Sequence, residues 1–255
     1  MALTTPAPAG TLALLVPAYN LQPWDRDFVE RLGKAFSSLE TDWRLKPALI
    51  FVDDGSSSPG TELPHHFARL AELGVQVVAT RHEVNRGQGA ALQTALEIAR
   101  SPRVNADFFV TFDADGQHDP DDIGRLYEKL VTQRLNIVFG NRFEAVAAGG
   151  TGIPASRRGL LFLATAFERA LTGLDLGDAH NGLRLFDRTA AGRIELTQDR
   201  MAHATEFKTL VRRNGLKYGE APVRIRYSEE SLQGGQRNSE ALRILVDLLR
   251  GWWIR

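Results

Sequence analysis

Apolar residues in the first half of the chain gather in short runs separated by stretches of helical spacing. Leu12 to Pro17, Ala48 to Val52, Val75 to Ala79, Asp107 to Phe112 and Asn136 to Phe139 are such runs. Continuous apolar strands are expected where both faces of a sheet are covered. Between the first two, Phe28, Val29, Leu32, Ala35, Phe36 and Leu39 recur at helical spacing over Trp24 to Leu39. Leu63 to Leu73 predicts a second helix, closed by Gly74, and Gly89 to Arg100 an Ala-rich third. Pro120 to Leu130 predicts a fourth, with proline at its start and Asp121 and Asp122 in its first turn. Strand alternating with helix predicts an α/β fold: a mostly parallel sheet with helices on both faces.

The second half is less regular. Glu144 to Ser156 is rich in Gly and Ala and reads as a loop. Arg157 to Leu171 and Ala204 to Asn214 are spaced as helices, and Val223 to Tyr227 alternates like an exposed strand. Ser228 to Asn238 is polar and reads as a loop. In Ser239 to Trp253, Leu242, Leu245, Val246, Leu249, Trp252 and Trp253 share one face of a helix. That face is expected to pack on its own domain, to form a homo-oligomer, or to lie on a membrane surface.

The 255 residues suit one domain, residues 1–255, with a loose tail over 1–10 and the amphipathic helix at 239–255. The 31 basic and 31 acidic side chains cancel, which argues against a nucleic-acid partner. Without cysteine there is no disulfide framework, thiolate zinc site or cysteine nucleophile. No apolar run is long enough to span a bilayer, and Met1 to Gly10 lacks the features of a signal peptide. The expectation is a cytoplasmic protein.

Ligands of open parallel sheets bind beyond the carboxyl ends of the strands. Here those ends read Pro17-Ala18-Tyr19-Asn20, Asp53-Asp54-Gly55-Ser56 and Asp113-Ala114-Asp115-Gly116-Gln117-His118. At least four carboxylates are expected to meet at one rim. Mutual repulsion then calls for a cation, and oxygen ligands point to Mg²⁺ or Mn²⁺. Asp113 and Asp115 can face one site and hold an ion bridging two phosphates; as structural residues they would be turn and cap groups. Asp53 and Asp54 either shape a tight turn or bind a base or ribose. Asn85-Arg86-Gly87-Gln88-Gly89 either cradles phosphate with backbone N–H groups or caps the third helix.

The ordered segments VPAYN, VDDGSSSPGT, NRGQGAAL, FDADGQHDP, FGNRF, HNGLRLFDR and IRYSEESLQGGQ resemble glycosyltransferase family 2, of the GT-A fold. The resemblance covers about residues 11 to 240 and looks closest to the branch with dolichyl-phosphate mannosyltransferases. It implies inverting transfer from a UDP-, GDP- or dTDP-sugar to a polyprenyl phosphate or lipid-linked glycan. Pro17, Ala18, Tyr19, Asn20, Asp53 and Asp54 match nucleoside-binding positions. Asp113 matches a carboxylate near the ribose and phosphates, and Asp115 and Gln117 match metal-binding positions. Arg142 and Arg157 resemble phosphate-holding residues. His180, Asn181 and Arg184 lie in a segment that lines the acceptor side. Glu206 matches an acidic residue that would take a proton from a hydroxyl acceptor; structurally it would suit a helix N-terminus. The branch's basic Arg-x-x-Gly-x-Ser-Lys segment is replaced by Tyr227 to Arg237, where Arg237 is the candidate phosphate ligand. A lipid acceptor implies peripheral contact with the cytoplasmic membrane face. The rivals are a sugar-phosphate nucleotidyltransferase, disfavoured by Pro17-Ala18-Tyr19-Asn20 after the first strand, and a non-catalytic nucleotide-sugar binding subunit, disfavoured by the intact Asp113, Asp115 and Gln117.

Overall fold

A computed structural model describes residues 10–20, 24, 26–57, 63–147, 165–199 and 202–226. Its elements in chain order are β1 (Gly10–Ala18), α1 (Arg26–Trp43), β2 (Leu45–Asp53), α2 (Leu63–Glu72), β3 (Gln76–Arg81) and α3 (Gln88–Arg100). There follow β4 (Phe108–Thr111), α4 (Asp122–Thr132), β5 (Ile137–Asn141) and α5 (Arg142–Ala147). A helix over 165–172 is α6. The remainder are β6 (Arg184–Asp187), α7 (Arg188–Ala191), α8 (Ala202–Arg213) and β7 (Tyr218–Pro222).

The strands form one seven-stranded sheet in the order β3-β2-β1-β4-β6-β5-β7. β1 runs parallel to β2 and β4, while β6 is antiparallel to both β4 and β5. The chain moves outward from β1 to β3 and then returns to place β4 on the other side of β1. The direction of winding therefore reverses between β1 and β4, where open α/β sheets form their binding crevice.

Alternation along β1 builds two cores. Leu12, Leu14 and Val16 pack with Phe28, Leu32 and Phe36 of α1 and with Leu126 and Tyr127 of α4. Ala13 and Leu15 face Ala91, Ala95 and Ala99 of α3, where small side chains let the helix sit close to the sheet. Both faces are covered, so the strands have no polar side to show.

Several element boundaries differ from the sequence expectation. β1 and β2 extend beyond the predicted runs and include Pro17 and Pro47. Pairing to β4 covers Leu12 to Leu15, and pairing to β3 begins at Ala48. Each proline thus lies where its strand has a neighbour on one side only, so its missing N–H costs no ladder bond. The exposed strand expected at Val223 to Tyr227 is displaced: the strand is β7, and beyond it Ile225 makes an isolated bridge with His118. The start of the expected 144–156 loop is helical, because Asn141 Oδ1 accepts from the N–H groups of Phe143 and Glu144 and caps α5. Arg157, Arg237, the 228–238 loop and the helix at Ser239 to Trp253 lie outside the described residues.

Candidate active site at the carboxyl ends of β1 and β4

β4 delivers Asp113 into the crevice. Its Oδ1 accepts from Gln88 Nε2 of α3 at 3.0 Å, and its Oδ2 lies 3.2 Å from His118 Nε2. Gly182 packs directly against the carboxylate: a Cβ there would stand 2.1 Å from Oδ2. Desolvation pushes the Asp113 carboxyl up, but the His118 hydrogen bond and the charges of His118, Arg184 and His203 outweigh it and hold the group below its ordinary range. Asp115 is exposed on the following turn, and its Oδ1 accepts from the Gln117 N–H at 3.0 Å. Although the residue faces solvent, the loop behind it desolvates the carboxyl, and with the Asp113 charge this raises Asp115. The turn is held at both ends. Trp24 Nε1 donates to Ala114 O at 3.0 Å, and the Arg226 N–H donates to Gln117 O at 2.8 Å.

The ends of β1 and β2 are stitched together beside this turn. Ser56 Oγ accepts from the Asn20 N–H, while Asn20 Oδ1 accepts from the N–H and Oγ of Ser57. Asp53 accepts from the Ser56 N–H and pairs with Arg81 Nε at 3.5 Å. Tyr19 stands exposed on the same rim, and Pro17 reaches the cavity described below.

Asp54 points the other way. It is 2 % exposed, and its two oxygens accept from the Arg86 and Gly87 N–H groups at 3.0 and 2.7 Å, with His82 Nδ1 at 2.7 Å. The Gly89 N–H donates to Asp199 O. Of the segment expected to cradle phosphate, the Arg86, Gly87 and Gly89 N–H groups are therefore engaged within the protein; Gly87 takes φ 98° to start α3, and Arg86 keeps an exposed side chain. The expected crowd of four carboxylates is likewise corrected. Asp53 and Asp54 are answered by protein partners, and among the described residues no three His, Cys, Asp or Glu side chains converge as a metal site.

The opposite wall is the segment 177–182, anchored from beneath. Asp178 accepts from the Arg142 N–H at 3.1 Å and from its Nε at 2.6 Å. Glu220 of β7 takes the Gly177 and Asp178 N–H groups. Lys208 Nζ donates to Ala179 O and pairs with Glu168, each at 2.7 Å. Burial pushes the Lys208 ammonium down to about 8 despite the opposing pull of Glu168. Asn181 is buried, and its Oδ1 accepts from the Leu183 N–H. Glu206 of α8 uses its carboxylate on Thr197 and on the Gln198 N–H, which fixes the turn before α8.

Between these walls lies a cavity of about 110 Å³ lined by Pro17, Gln88, Thr111, Asp113, His180, Gly182, Arg184 and His203, with Leu92, Phe112, Ala179 and Ala204 completing it. It gathers Pro17, Asp113, His180 and Arg184 from the sequence candidates. Arg142, Asn181 and Glu206 stand behind its walls. Gln88, His118 and His203 join the site without having been singled out. His118, five residues after Asp113 and two before Pro120, had the only visible sequence signal.

A family model described as "Glycosyl transferase family 2" matches residues 14–194. The chain belongs to glycosyltransferase family 2. Among its relatives within this family is the UDP-N-acetylglucosamine–dolichyl-phosphate N-acetylglucosaminyltransferase of Methanococcus voltae, 27% identical over 92% of this chain and 94% of that one. The dodecaprenyl-phosphate galacturonate synthase of Rhizobium johnstonii is 30% identical, over 51% of this chain and 36% of that one. Among solved structures, glucosyl-3-phosphoglycerate synthase from Mycobacterium tuberculosis, in complex with Mn²⁺, UDP and phosphoglyceric acid, superposes with a TM-score of 0.56 at 19% identity. That match covers 94% of this chain and 78% of the other, and with the family assignment it establishes the GT-A fold. The protein is thus a glycosyltransferase with homologues named for polyprenyl-phosphate acceptors.

Proposed function

We propose that this glycosyltransferase moves a sugar from a nucleoside-diphosphate sugar to a polyprenyl phosphate, with inversion at the anomeric carbon and Mg²⁺ or Mn²⁺ as cofactor. The supporting observation is the placement of Asp113 and Asp115 at the winding reversal between β1 and β4, above a polar cavity. Pro17, Ala18, Tyr19, Asn20 and Asp53 take the nucleoside, and Asp113 lies near the ribose and donor phosphates. Asp54, Arg86 and Gly87 shape that rim. Arg142, Arg157 and Arg237 serve phosphates, and His180, Asn181 and Arg184 the far wall.

The donor set fits a hard divalent ion. Asp115 offers an exposed carboxylate that, among the described residues, meets only nearby backbone N–H groups, that of Gln117 at 3.0 Å. Gln117 adds an amide oxygen. An ion of this kind is held by one or two carboxylates and completes its shell with phosphates and water, so three converging side chains are not required. When bound it neutralises charge on the departing diphosphate.

In the transfer, an acceptor phosphate oxygen forms a bond to the anomeric carbon while the bond from that carbon to the diphosphate breaks. The attacking oxygen is already ionised. No base is needed, and Glu206 can remain the anchor of the 197–198 turn. A hydroxyl acceptor would instead require a base. No described helix is long and apolar enough to cross a membrane. The lipid acceptor therefore places the protein peripherally on the cytoplasmic membrane face, with the 239–253 segment as a membrane or oligomer contact.

The test is incubation of the protein with UDP-, GDP- and dTDP-sugars, undecaprenyl phosphate in detergent, and Mn²⁺. Lipid-linked sugar that is lost on chelation is the expected result. Transfer only to sugar hydroxyls would refute the acceptor. Pyrophosphate release from a nucleoside triphosphate and a sugar phosphate would establish the nucleotidyltransferase rival.

A further inference from the structure

The cavity beneath Asp113 holds an unusual group. Arg184, at the start of β6, is 4 % exposed, yet its Nε has no hydrogen-bond partner among the described residues. Its guanidinium lies over the Phe207 ring, 4.8 Å from the centroid. The face of an aromatic ring attracts a cation but does not accept its N–H bonds as an oxygen would. Among the described residues, the carboxylates that act on Arg184 are Asp113 and Glu168. Asp113 is committed to Gln88 and His118. Glu168 is committed to Lys208 and to Thr205 Oγ1, each at 2.7 Å. A desolvated guanidinium whose Nε has no oxygen partner among the described residues is costly, and the fold retains it on the wall of a cavity.

The cavity also has the right place for the transferred sugar. It opens between Pro17 at the end of β1 and Asp113 at the end of β4, below the donor phosphates in the proposed reading. Gly182 leaves the wall without a side chain at the point of closest approach to Asp113. Gln88, His180 and His203 add polar groups suited to hydroxyls.

We propose that Arg184 recognises a carboxylate on the transferred sugar, so that the preferred donor is a nucleoside-diphosphate hexuronate rather than a neutral hexose. The inference rests on the donor-site reading above. A carboxylate accepts two parallel bonds from a guanidinium, a match that a hydroxyl cannot make. Among the described residues Asp113 is the one carboxylate lining the cavity, and its bonds to Gln88 and His118 turn its oxygens to protein donors.

Calorimetric titration in Mn²⁺ tests this. UDP, GDP and dTDP identify the nucleotide; then UDP-glucuronate is compared with UDP-glucose, GDP-mannuronate with GDP-mannose, or dTDP-glucuronate with dTDP-glucose. The hexuronate should bind about tenfold more tightly or better. Arg184→Met should remove that preference while leaving the free nucleoside diphosphate bound as in the wild type. Equal affinity for the two sugars in the wild-type protein overturns the inference and leaves the donor site standing, even if the variant fails to fold. Binding of none of the three nucleotides overturns the donor site, and this inference with it. A hexuronate preference that survives in a folded Arg184→Met protein assigns the carboxylate to another residue and also overturns it.

Discussion

Gly182→Ala puts the smallest possible group against the Asp113 carboxylate. The new Cβ would lie 2.1 Å from Asp113 Oδ2 and 2.8 Å from its Cγ. The backbone at Gly182 is held, because its carbonyl accepts from Thr111 Oγ1 at 2.6 Å. The carboxylate must therefore turn, and it loses either Gln88 or His118. A hydrogen bond to a charged group is worth about 1.5–3 kcal/mol. Replacing glycine returns about 0.4–1 kcal/mol by restricting the unfolded chain. The expected net loss is about 1–2 kcal/mol, or roughly 2–8 °C in Tm for a chain of this size. Misplacing Asp113 by about 1 Å should lower kcat/KM by on the order of 100-fold. Thermal unfolding and sugar-transfer kinetics on the same preparation measure both. A Tm unchanged from wild type, with kcat/KM within about threefold, would refute the claim that Gly182 sets the Asp113 position.

Asp115→Ala should abolish metal-dependent nucleotide binding with a Tm within about 2 °C of wild type, since an exposed carboxylate is removed; retained Mn²⁺-dependent binding in calorimetry would refute the assignment. Lys208→Met alone strands Glu168 in the interior and should cost about 3–5 kcal/mol in urea unfolding, most of it recovered in Lys208→Met with Glu168→Leu; an equally unstable double variant would contradict this. Asp122, fully buried in the first turn of α4, has a carboxyl raised by burial to about 6, against the opposing Arg224 N–H bond and Arg125 charge. The folded state therefore holds this proton more tightly than the unfolded chain. Its contribution is fully present below the unfolded pKa near 3.8 and is lost as pH rises through about 6. Asp122→Asn should remove on the order of 2–3 kcal/mol of that pH dependence between pH 4 and 7, and an unchanged slope in urea titrations would disprove it.

The parallel half of the sheet is legible because its strands are covered on both faces and so stay apolar throughout. β6 and β7 escape the same test for local reasons. β6 is Arg184-Leu185-Phe186-Asp187, with a charged residue at either end. β7 is Tyr218-Gly219-Glu220-Ala221-Pro222, and four of its five residues are poor strand formers. Its pairing comes from β5 alongside it, a contact distant in sequence. Within the site, the sequence pointed to Asp113 and Asp115 because both follow an apolar run. It did not reveal that Asp54 faces inward, since adjacent aspartates look alike until the strand's pleat separates them. Nor did it reveal that Arg142 meets the buried Asp178 or that Glu206 takes the Thr197 and Gln198 N–H groups, since a charged residue gives no sign, in sequence, of the partner that will engage it.

The inward turn of Asp54 changes what a sequence motif can certify. A side chain that ties down the 82–87 loop is needed by any protein keeping this architecture, whether or not it still transfers sugar. A relative could lose turnover completely and preserve Asp54, His82 and the glycine at 87 for the sake of its own stability. Asp115 differs: it is exposed, and among the described residues its carboxylate meets only nearby backbone N–H groups, so a relative released from the proposed metal chemistry would be expected to lose it first.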